Sequence, residues 1–484
     1  MISRRSLLAG TALAAPMLAL PRKTAAERIN VLFIGSDDCR ATLGCYGHPL
    51  VKTPNLDALA ARGVRFDRAY CNFPLCGPSR TSMLSGVRPD STKIWENQLA
   101  VRDRLPDAVT LPQLFRRSGW ESTRLGKMYH MDVPESIGTN KWDDPPSWNR
   151  AVSLDGPENK TVGEGRNPTP GFPSGNAFQW ISFADDGRDQ ADQRAADQAV
   201  ELIRGPRPQP YFLGLGLLRP HVPLVAPSKF FDLYPLDKVD LRTNPVGDLE
   251  DIPQLSEITI TRRGGDMKMN ERDKREVLRA YYASVSYMDS LVGQVLQAVE
   301  KKGELARTAV VFWSDHGYHL GEHFRWQKRS LFEESSRVPL IVAAPGRKAR
   351  GASSRALVEL VDVYPTVAEL AGLTAPAHLE GQSFAPLLDR PQRPWKTAAF
   401  TQVFQPPNIV GRAVVNQRYR YIQWAGEAPA AAKEPGSADK EELYDHQTDP
   451  HEFTNLSRNP AHSAALAQMR QTMAAGWRAA RAKG

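Results

Sequence analysis

Cysteine is scarce in this chain: 484 residues hold four, Cys39, Cys45, Cys71 and Cys76, all within the first 80 positions. Their spacings of six, twenty-six and five match no paired C-x-x-C ligands, which argues against a zinc site of four cysteines. A disulfide among Cys39, Cys45 and Cys71 stays open. Long hydrophobic runs are also missing. Outside the first 26 residues there is no stretch of about 18 apolar residues, so no membrane span is expected in a mature chain. Blocks of basic residues long enough to suggest nucleic-acid binding are absent, and no internal repeat is visible. With 41% hydrophobic and 24% charged residues, the composition excludes disorder and collagen-like repeats. The length suits one large domain or two.

Residues 1–26 read as an export signal and are left out of the fold. Ser3, Arg4, Arg5, Ser6, Leu7 and Leu8 resemble a twin-arginine motif, an apolar stretch from Leu7 to Leu20 follows, and Thr24, Ala25 and Ala26 are small residues at a cleavage point. The expected partner is the twin-arginine export machinery, and the expected location periplasmic or secreted. The leader carries Arg4, Arg5, Arg22 and Lys23 and no acid, so the net charge of +8 falls to about +4 without it. That mild positive bias helps to draw in anionic substrates and does not identify them.

In the remainder, short apolar runs alternate with helical stretches. This pattern predicts an α/β fold: a large, mostly parallel mixed sheet covered by helices on both faces. Ile29 to Gly35, Tyr211 to Leu217 and Thr308 to Ser314 are too short for helices and apolar enough for buried strands. Asn270 to Glu300 predicts a long helix, with Val277, Tyr281, Val285, Met288, Val292, Val295 and Val299 on one core-facing stripe and no catalytic role. Residues 156–175 and 425–441 read as irregular loops. Ala398 to Phe404 and Arg418 to Trp424 predict strands of a smaller C-terminal α+β subdomain with an antiparallel sheet, and the tail from Pro460 reads as helical. The expected division is residues 27–375 as a catalytic domain and 376–484 as that subdomain.

Each predicted main strand ends in polar residues: Asp37 and Asp38, Arg219-Pro220-His221, and Asp315 and His316. Open α/β sheets build their sites beyond the carboxyl ends of adjacent strands, so these residues are expected to meet in one cleft. Asp37, Asp38 and Asp315 offer hard carboxylate oxygens, which suit Ca²⁺ or Mg²⁺ better than zinc. His319 and His323, four apart, flank Gly321, which favours a loop over a second metal site. His48 is expected near the cleft. His378, His446, His451 and His462 read as surface or subdomain residues.

The most informative segment is CNFPLCGPSRTSMLSG, residues 71–86. Alone, Cys76 fits a buried, inert cysteine at a helix start. In company, Cys76, Pro78, Ser79 and Arg80, with Leu84, Ser85 and Gly86, closely resemble the C-x-P-S-R signature of sulfatases. Asn30 to His48, Arg88-Pro89-Asp90, Gly126 to His130, Arg219 to His221, Ser314 to Gly317, Trp326-Gln327-Lys328, the segment from Val358 and the segment from Glu442 follow in the order seen in iduronate-2-sulfatase-like members of the alkaline phosphatase superfamily. The resemblance covers nearly the whole mature chain.

That resemblance implies hydrolysis of sulfate esters on a sulfated sugar or glycosaminoglycan fragment. It implies that a maturation enzyme oxidises Cys76 to formylglycine before the folded protein is exported, and that Asp37, Asp38, Asp315, His316 and modified Cys76 ligate one divalent cation, Ca²⁺ before Mg²⁺. The cation would hold the sulfate and lower the pKa of the attacking formylglycine hydroxyl. Arg80 would orient the formylglycine, Lys127 and Lys328 would neutralise sulfate oxygens, and His221 would protonate the leaving alcohol. His130 would take a proton from the second hydroxyl of the sulfated hemiacetal, expelling sulfate. Two alternatives remain: a phosphodiesterase or phosphonate monoester hydrolase of the same superfamily, and a catalytically silent protein that binds sulfated glycans. Specificity is expected in loops 88–105, 131–175 and 403–412.

Overall fold

The computed structural model describes residues 28–157, 164–173, 175–207, 209–257, 267–405, 408–426 and 440–483. The expected leader, and residues 158–163, 174 and 427–439 of the two expected loops, lie outside these. Eight strands form the main sheet: β1 (Asn30–Ser36), β2 (Val64–Phe66), β3 (Glu121–Gly126), β4 (Arg150–Val152), β5 (Tyr211–Gly216), β6 (Thr308–Ser314), β7 (Leu340–Ala343) and β8 (Ala352–Ser354). They lie in the order β8, β2, β7, β6, β1, β5, β3, β4, and of the eight β7 alone is reversed. The expected mostly parallel mixed sheet is observed.

Every residue of β1 is buried because helices cover both faces of the sheet. Side chains alternate along the strand, so Leu32 and Ile34 enter one core and Val31 and Phe33 the other. Each of these contributes about 2 kcal/mol relative to an exposed position. Helix α1 (Cys76–Ser85) sends Met83 and Leu84 into the Val31 and Phe33 face. Helices α2 (Ala191–Arg204) and α3 (Glu271–Lys301) cover the other. The predicted stripe of α3 is buried throughout, and Asn270 caps the helix by accepting from the Asp273 backbone N–H at 2.9 Å.

A second sheet joins β9 (Ala399–Gln405), β10 (Ile409–Val415), β11 (Tyr419–Ala425) and β12 (Glu441–Asp445), all antiparallel. One face, with Val403, Ile422 and Trp424, packs on Leu331 and Phe332 beside the main sheet. The other receives Leu466 and Met469 of helix α4 (Ser463–Ala479). This is the expected C-terminal strand-rich subdomain. The open question of a disulfide resolves to none, and the sheet keeps Cys71 apart from Cys39 and Cys45. Cys39 packs in the core on one side and Cys71 in the core on the other, Cys45 lies beside the first, and all four cysteines are free thiols.

Candidate active site at the ends of four parallel strands

β6, β1, β5 and β3 are parallel neighbours, so their carboxyl ends lie about 4.8 Å apart in a row. The ladders set Ser36 opposite Ser314, and Gly216 opposite both Gly35 and Gly126. The chain just past each strand therefore converges: Asp37 and Asp38, Asp315 and His316, Lys127, and the loop carrying His221. Two glycines permit the closest approach. A Cβ on Gly216 would lie 1.9 Å from the Lys127 carbonyl oxygen, and one on Gly126, at φ +71°, would lie 2.2 Å from the Gly216 oxygen.

Cys76 opens α1 directly above this row. Its Sγ lies 3.3 Å from His316 Nε2, 3.3 Å from Lys328 Nζ and 3.9 Å from Asp38 Oδ1. One turn on, the fully buried Arg80 donates from Nε to Asp315 Oδ2 at 2.9 Å, from Nη2 to Asp37 Oδ1 at 3.1 Å and from Nη1 to the Lys127 carbonyl at 2.7 Å. Arg80 thus ties together the ends of β1, β3 and β6. Lys127 Nζ donates to Asp37 Oδ2, and Lys328 Nζ to Asp38 Oδ1, each at 2.6 Å. The oxygens of Asp37, Asp38 and Asp315 lie within 4.8 Å of one another, as do ligand atoms of Asp38, Cys76 and His316. His316 Nδ1 bonds the Gly317 carbonyl at 2.8 Å, which places the proton on Nδ1 and leaves the Nε2 lone pair facing Cys76 and Asp38.

The electrostatics follow from burial against charge. Burial raises Asp37, but Lys127 and Arg80 outweigh it and hold the carboxyl well below its ordinary range. Asp38 is lowered in the same way by His221 and Lys328, against burial. Burial pushes the Cys76 thiol well above its ordinary value, with Lys328 pulling the other way. Burial lowers His221 to about 4 and His130 to about 3.

A cleft of about 550 Å³ opens over this floor, and Lys328, His221 and His130 line it. His221 Nδ1 bonds the Val222 carbonyl at 2.6 Å, and its Nε2 lies 3.7 Å from Asp38 Oδ2. His130 stands on the wall with Nε2 3.1 Å from Asp132 Oδ1 and Nδ1 buried without a partner. A second cavity of about 610 Å³ sits by Thr308, at the amino end of β6, and contains none of these residues.

Several supporting residues escaped the sequence reading. Tyr281, read only as core packing on the α3 stripe, donates its hydroxyl to the Asp38 carbonyl at 2.8 Å and accepts from the Arg40 N–H at 3.1 Å. It braces Asp38, whose φ is +62°. Asp192, in the first turn of α2, accepts the N–H groups of Leu218 and Arg219 at 2.7 and 2.9 Å and so fixes the His221 loop. A buried core tyrosine and a first-turn aspartate carry no sequence signal of such roles. His48 is not in the cleft: its Nδ1 accepts the N–H groups of Leu50 and Val51, and its ring packs on Tyr282. His319 and His323 bond Ser330 and Asp248 respectively, and they take no part in a shared ligand set among the described residues. His446 sits beside β12 in the C-terminal subdomain, partly buried, with Nε2 2.6 Å from Glu452 Oε1.

Residues 29–373 match the Sulfatase family model, and residues 321–478 match the model for the C-terminal region of N-sulphoglucosamine sulphohydrolase. A sulfatase of Formosa agariphila is 32% identical, over 90% of this chain and 84% of its own. Iduronate 2-sulfatase of Mus musculus is 30% identical, over 96% and 97%. Among solved structures, the phosphonate monoester hydrolase of Agrobacterium radiobacter superposes with a TM-score of 0.77 at 22% identity, covering 93% of this chain and 95% of its own. A protein solved with its substrate D-glucosamine-2-N,6-O-disulfate gives 0.70 at 21%, covering 92% and 96%. At such identities the two structures speak for the fold alone, whereas the family model and the sequence relatives decide the chemistry: the chain belongs to the sulfatase family, and it is a sulfuric ester hydrolase.

Proposed function

We propose that the protein hydrolyses sulfate esters on a sugar or glycosaminoglycan fragment, using formylglycine made from Cys76 and one divalent cation, Ca²⁺ before Mg²⁺. Its likeness to iduronate 2-sulfatase, and the disulfated glucosamine bound to a fold neighbour, support a sulfated saccharide. One observation carries the reading. Residue 76, at the start of α1, lies between Lys328 and His316 over three buried carboxylates, next to the cleft that Leu75, Lys328 and His221 line.

The donor set fits a hard cation: Asp37, Asp38 and Asp315 supply oxygens, and His316 Nε2 and residue 76 complete the ring. When bound, the cation would polarise the sulfate, and the hydrated formylglycine would supply the attacking hydroxyl. The three carboxylates are balanced by Arg80, Lys127 and Lys328, so two added positive charges would leave the floor attractive to an anion. Lys127 and Lys328 aim their ammonium groups into the site and would donate to the sulfate oxygens as negative charge gathers there. With Nδ1 donating to the Val222 carbonyl, His221 keeps Nε2 free, and its imidazolium form would deliver the Nε2 proton to the leaving alcohol. His130, fixed by Asp132 through Nε2, keeps Nδ1 to accept a proton when sulfate departs. The leader would route the folded, matured enzyme through the twin-arginine machinery to the periplasm or outside the cell.

The test joins mass and rate. Trypsin cuts after Arg68 and Arg80, releasing residues 69–80 with both Cys71 and Cys76. In protein from its native host, a loss of about 18 Da placed at residue 76 by fragmentation, together with turnover of sulfated disaccharides, is expected. An intact thiol in exported protein, or phosphonate monoesters cleaved far faster than sulfate esters, would overturn the proposal.

A further inference from the structure

A third cavity, of about 640 Å³, lies at the seam between the main sheet and the C-terminal sheet and shares no lining residue with the active-site cleft. Five arginines line it: Arg65, Arg68, Arg337, Arg355 and Arg418. The carboxylates around it are already engaged. Asp67 takes Arg65 at 2.7 Å, Asp445 takes Arg418 at 2.6 Å, and Glu333 is held by Arg420 and by the Tyr70 hydroxyl. His446 Nε2 is occupied by Glu452 at 2.6 Å.

Among the described residues, two guanidiniums meet no carboxylate, and a third is only loosely paired. Arg68 donates to the backbone carbonyls of Asn416 and Gln417 at 2.7 and 2.8 Å and meets no carboxylate among the described residues. Arg337 has a buried Nε without a hydrogen-bond partner and keeps only a long ion pair of 4.0 Å with Glu333. Arg355 is exposed and makes no ion pair among the described residues. Like charges gathered around a cavity repel one another, and a planar fork of N–H donors is the geometry that binds oxyanions.

We propose that this seam is a second anion site, which takes a sulfate group of a sulfated saccharide away from the bond being cleaved. The choice of a saccharide rests on the proposed function; the oxyanion chemistry does not. The test uses the full matured chain, wild type, Arg355→Glu and Arg337→Gln, titrated calorimetrically with a heparin-derived hexasaccharide and, separately, with inorganic sulfate. Turnover of 4-nitrophenyl sulfate, too small to span two sites, serves as the control. Each variant should bind the hexasaccharide about tenfold more weakly, with kcat on the small ester within about twofold of wild type. Loss of inorganic sulfate binding alone, with the hexasaccharide unaffected, would assign the seam to the free ion and overturn the saccharide assignment. Equal affinity of all three proteins for both probes would overturn the anion site itself. If sulfated disaccharides are not turned over while hexasaccharide binding still depends on Arg355, the proposed function fails and the anion site stands.

Discussion

Two buried charge clusters in this protein use the same ingredients to different ends. At the strand ends, Arg80, Lys127 and Lys328 face Asp37, Asp38 and Asp315. Behind α1, Arg88 and Lys396 face Glu359 and Asp362. There, Arg88 donates to the two oxygens of Glu359 at 2.7 Å each, Lys396 donates to Glu359 at 2.8 Å and to Asp362 at 2.7 and 2.6 Å, and Asp362 also accepts the N–H groups of Glu359 and Gln382. That cluster is nearly closed: its carboxylates are consumed by Arg88, Lys396 and the backbone, and only Arg88, with Nε unpartnered, reaches a small cavity of about 200 Å³. The strand-end cluster is open, because Lys328 and His221 line a cleft and can exchange protein partners for a substrate. Closure makes a buried charge structural, and an opening makes it chemical.

Removing the nucleophile should separate the two most sharply. Cys76→Ala is expected to lower turnover of sulfated substrate by about 10⁴-fold or more, while thermal unfolding stays within a few degrees of wild type. A comparable fall in stability would show that the open cluster is also a structural one. In the closed cluster, Glu359→Gln strips Arg88 and Lys396 of a shared carboxylate, so urea unfolding should show a loss of about 3–5 kcal/mol. Per folded molecule, kcat should be unchanged.

A third buried pair sharpens the contrast through pH. Burial alone would lower His323, but its hydrogen bond to Asp248, with Glu334 and Glu452 nearby, outweighs burial and raises the imidazole from 6.5 to about 9. A raised histidine contributes stability that is complete below its unfolded value and is lost as pH climbs through the folded one. Unfolding free energy should therefore fall by about 3 kcal/mol between pH 6.5 and 9, and His323→Gln should flatten that slope. The smallest effect concerns Tyr281. Tyr281→Phe keeps the packing and deletes the bond to the Asp38 carbonyl, so stability should drop by about 1 kcal/mol. A fall in kcat larger than that in KM would mark it as a positioning residue; unchanged kinetics would return it to plain core packing.

The parts of the site legible in the chain were those at the ends of unmistakable strands. β1, β5 and β6 are continuous apolar runs, and the polar residues after them met as expected. β3 was not visible as a strand: Glu121, Ser122, Thr123 and Arg124 break the apolar pattern, although Ser122, Thr123 and Arg124 are buried and Arg124 bonds the Gly126 carbonyl at 2.6 Å and Asn140 at 2.6 Å. Lys127 entered through its motif and its geometry through β3. The short strands β2 and β8, at three residues each, and the reversed β7 left no periodicity to read.

Local sequence by itself determined which segments are apolar enough to be buried, that α3 is a long helix with one core-facing stripe, and which polar residues end each long strand, because these depend on the spacing of neighbours along the chain. Only the tertiary structure decided that Gly126 and Gly216 let two strand ends touch, that Tyr281 and Asp192 brace the site loops, that Cys39 and Cys71 lie on opposite faces, and that five arginines meet at one seam. Those outcomes depend on strand order and register, which bring residues hundreds of positions apart within hydrogen-bonding distance and leave no periodic trace along the chain.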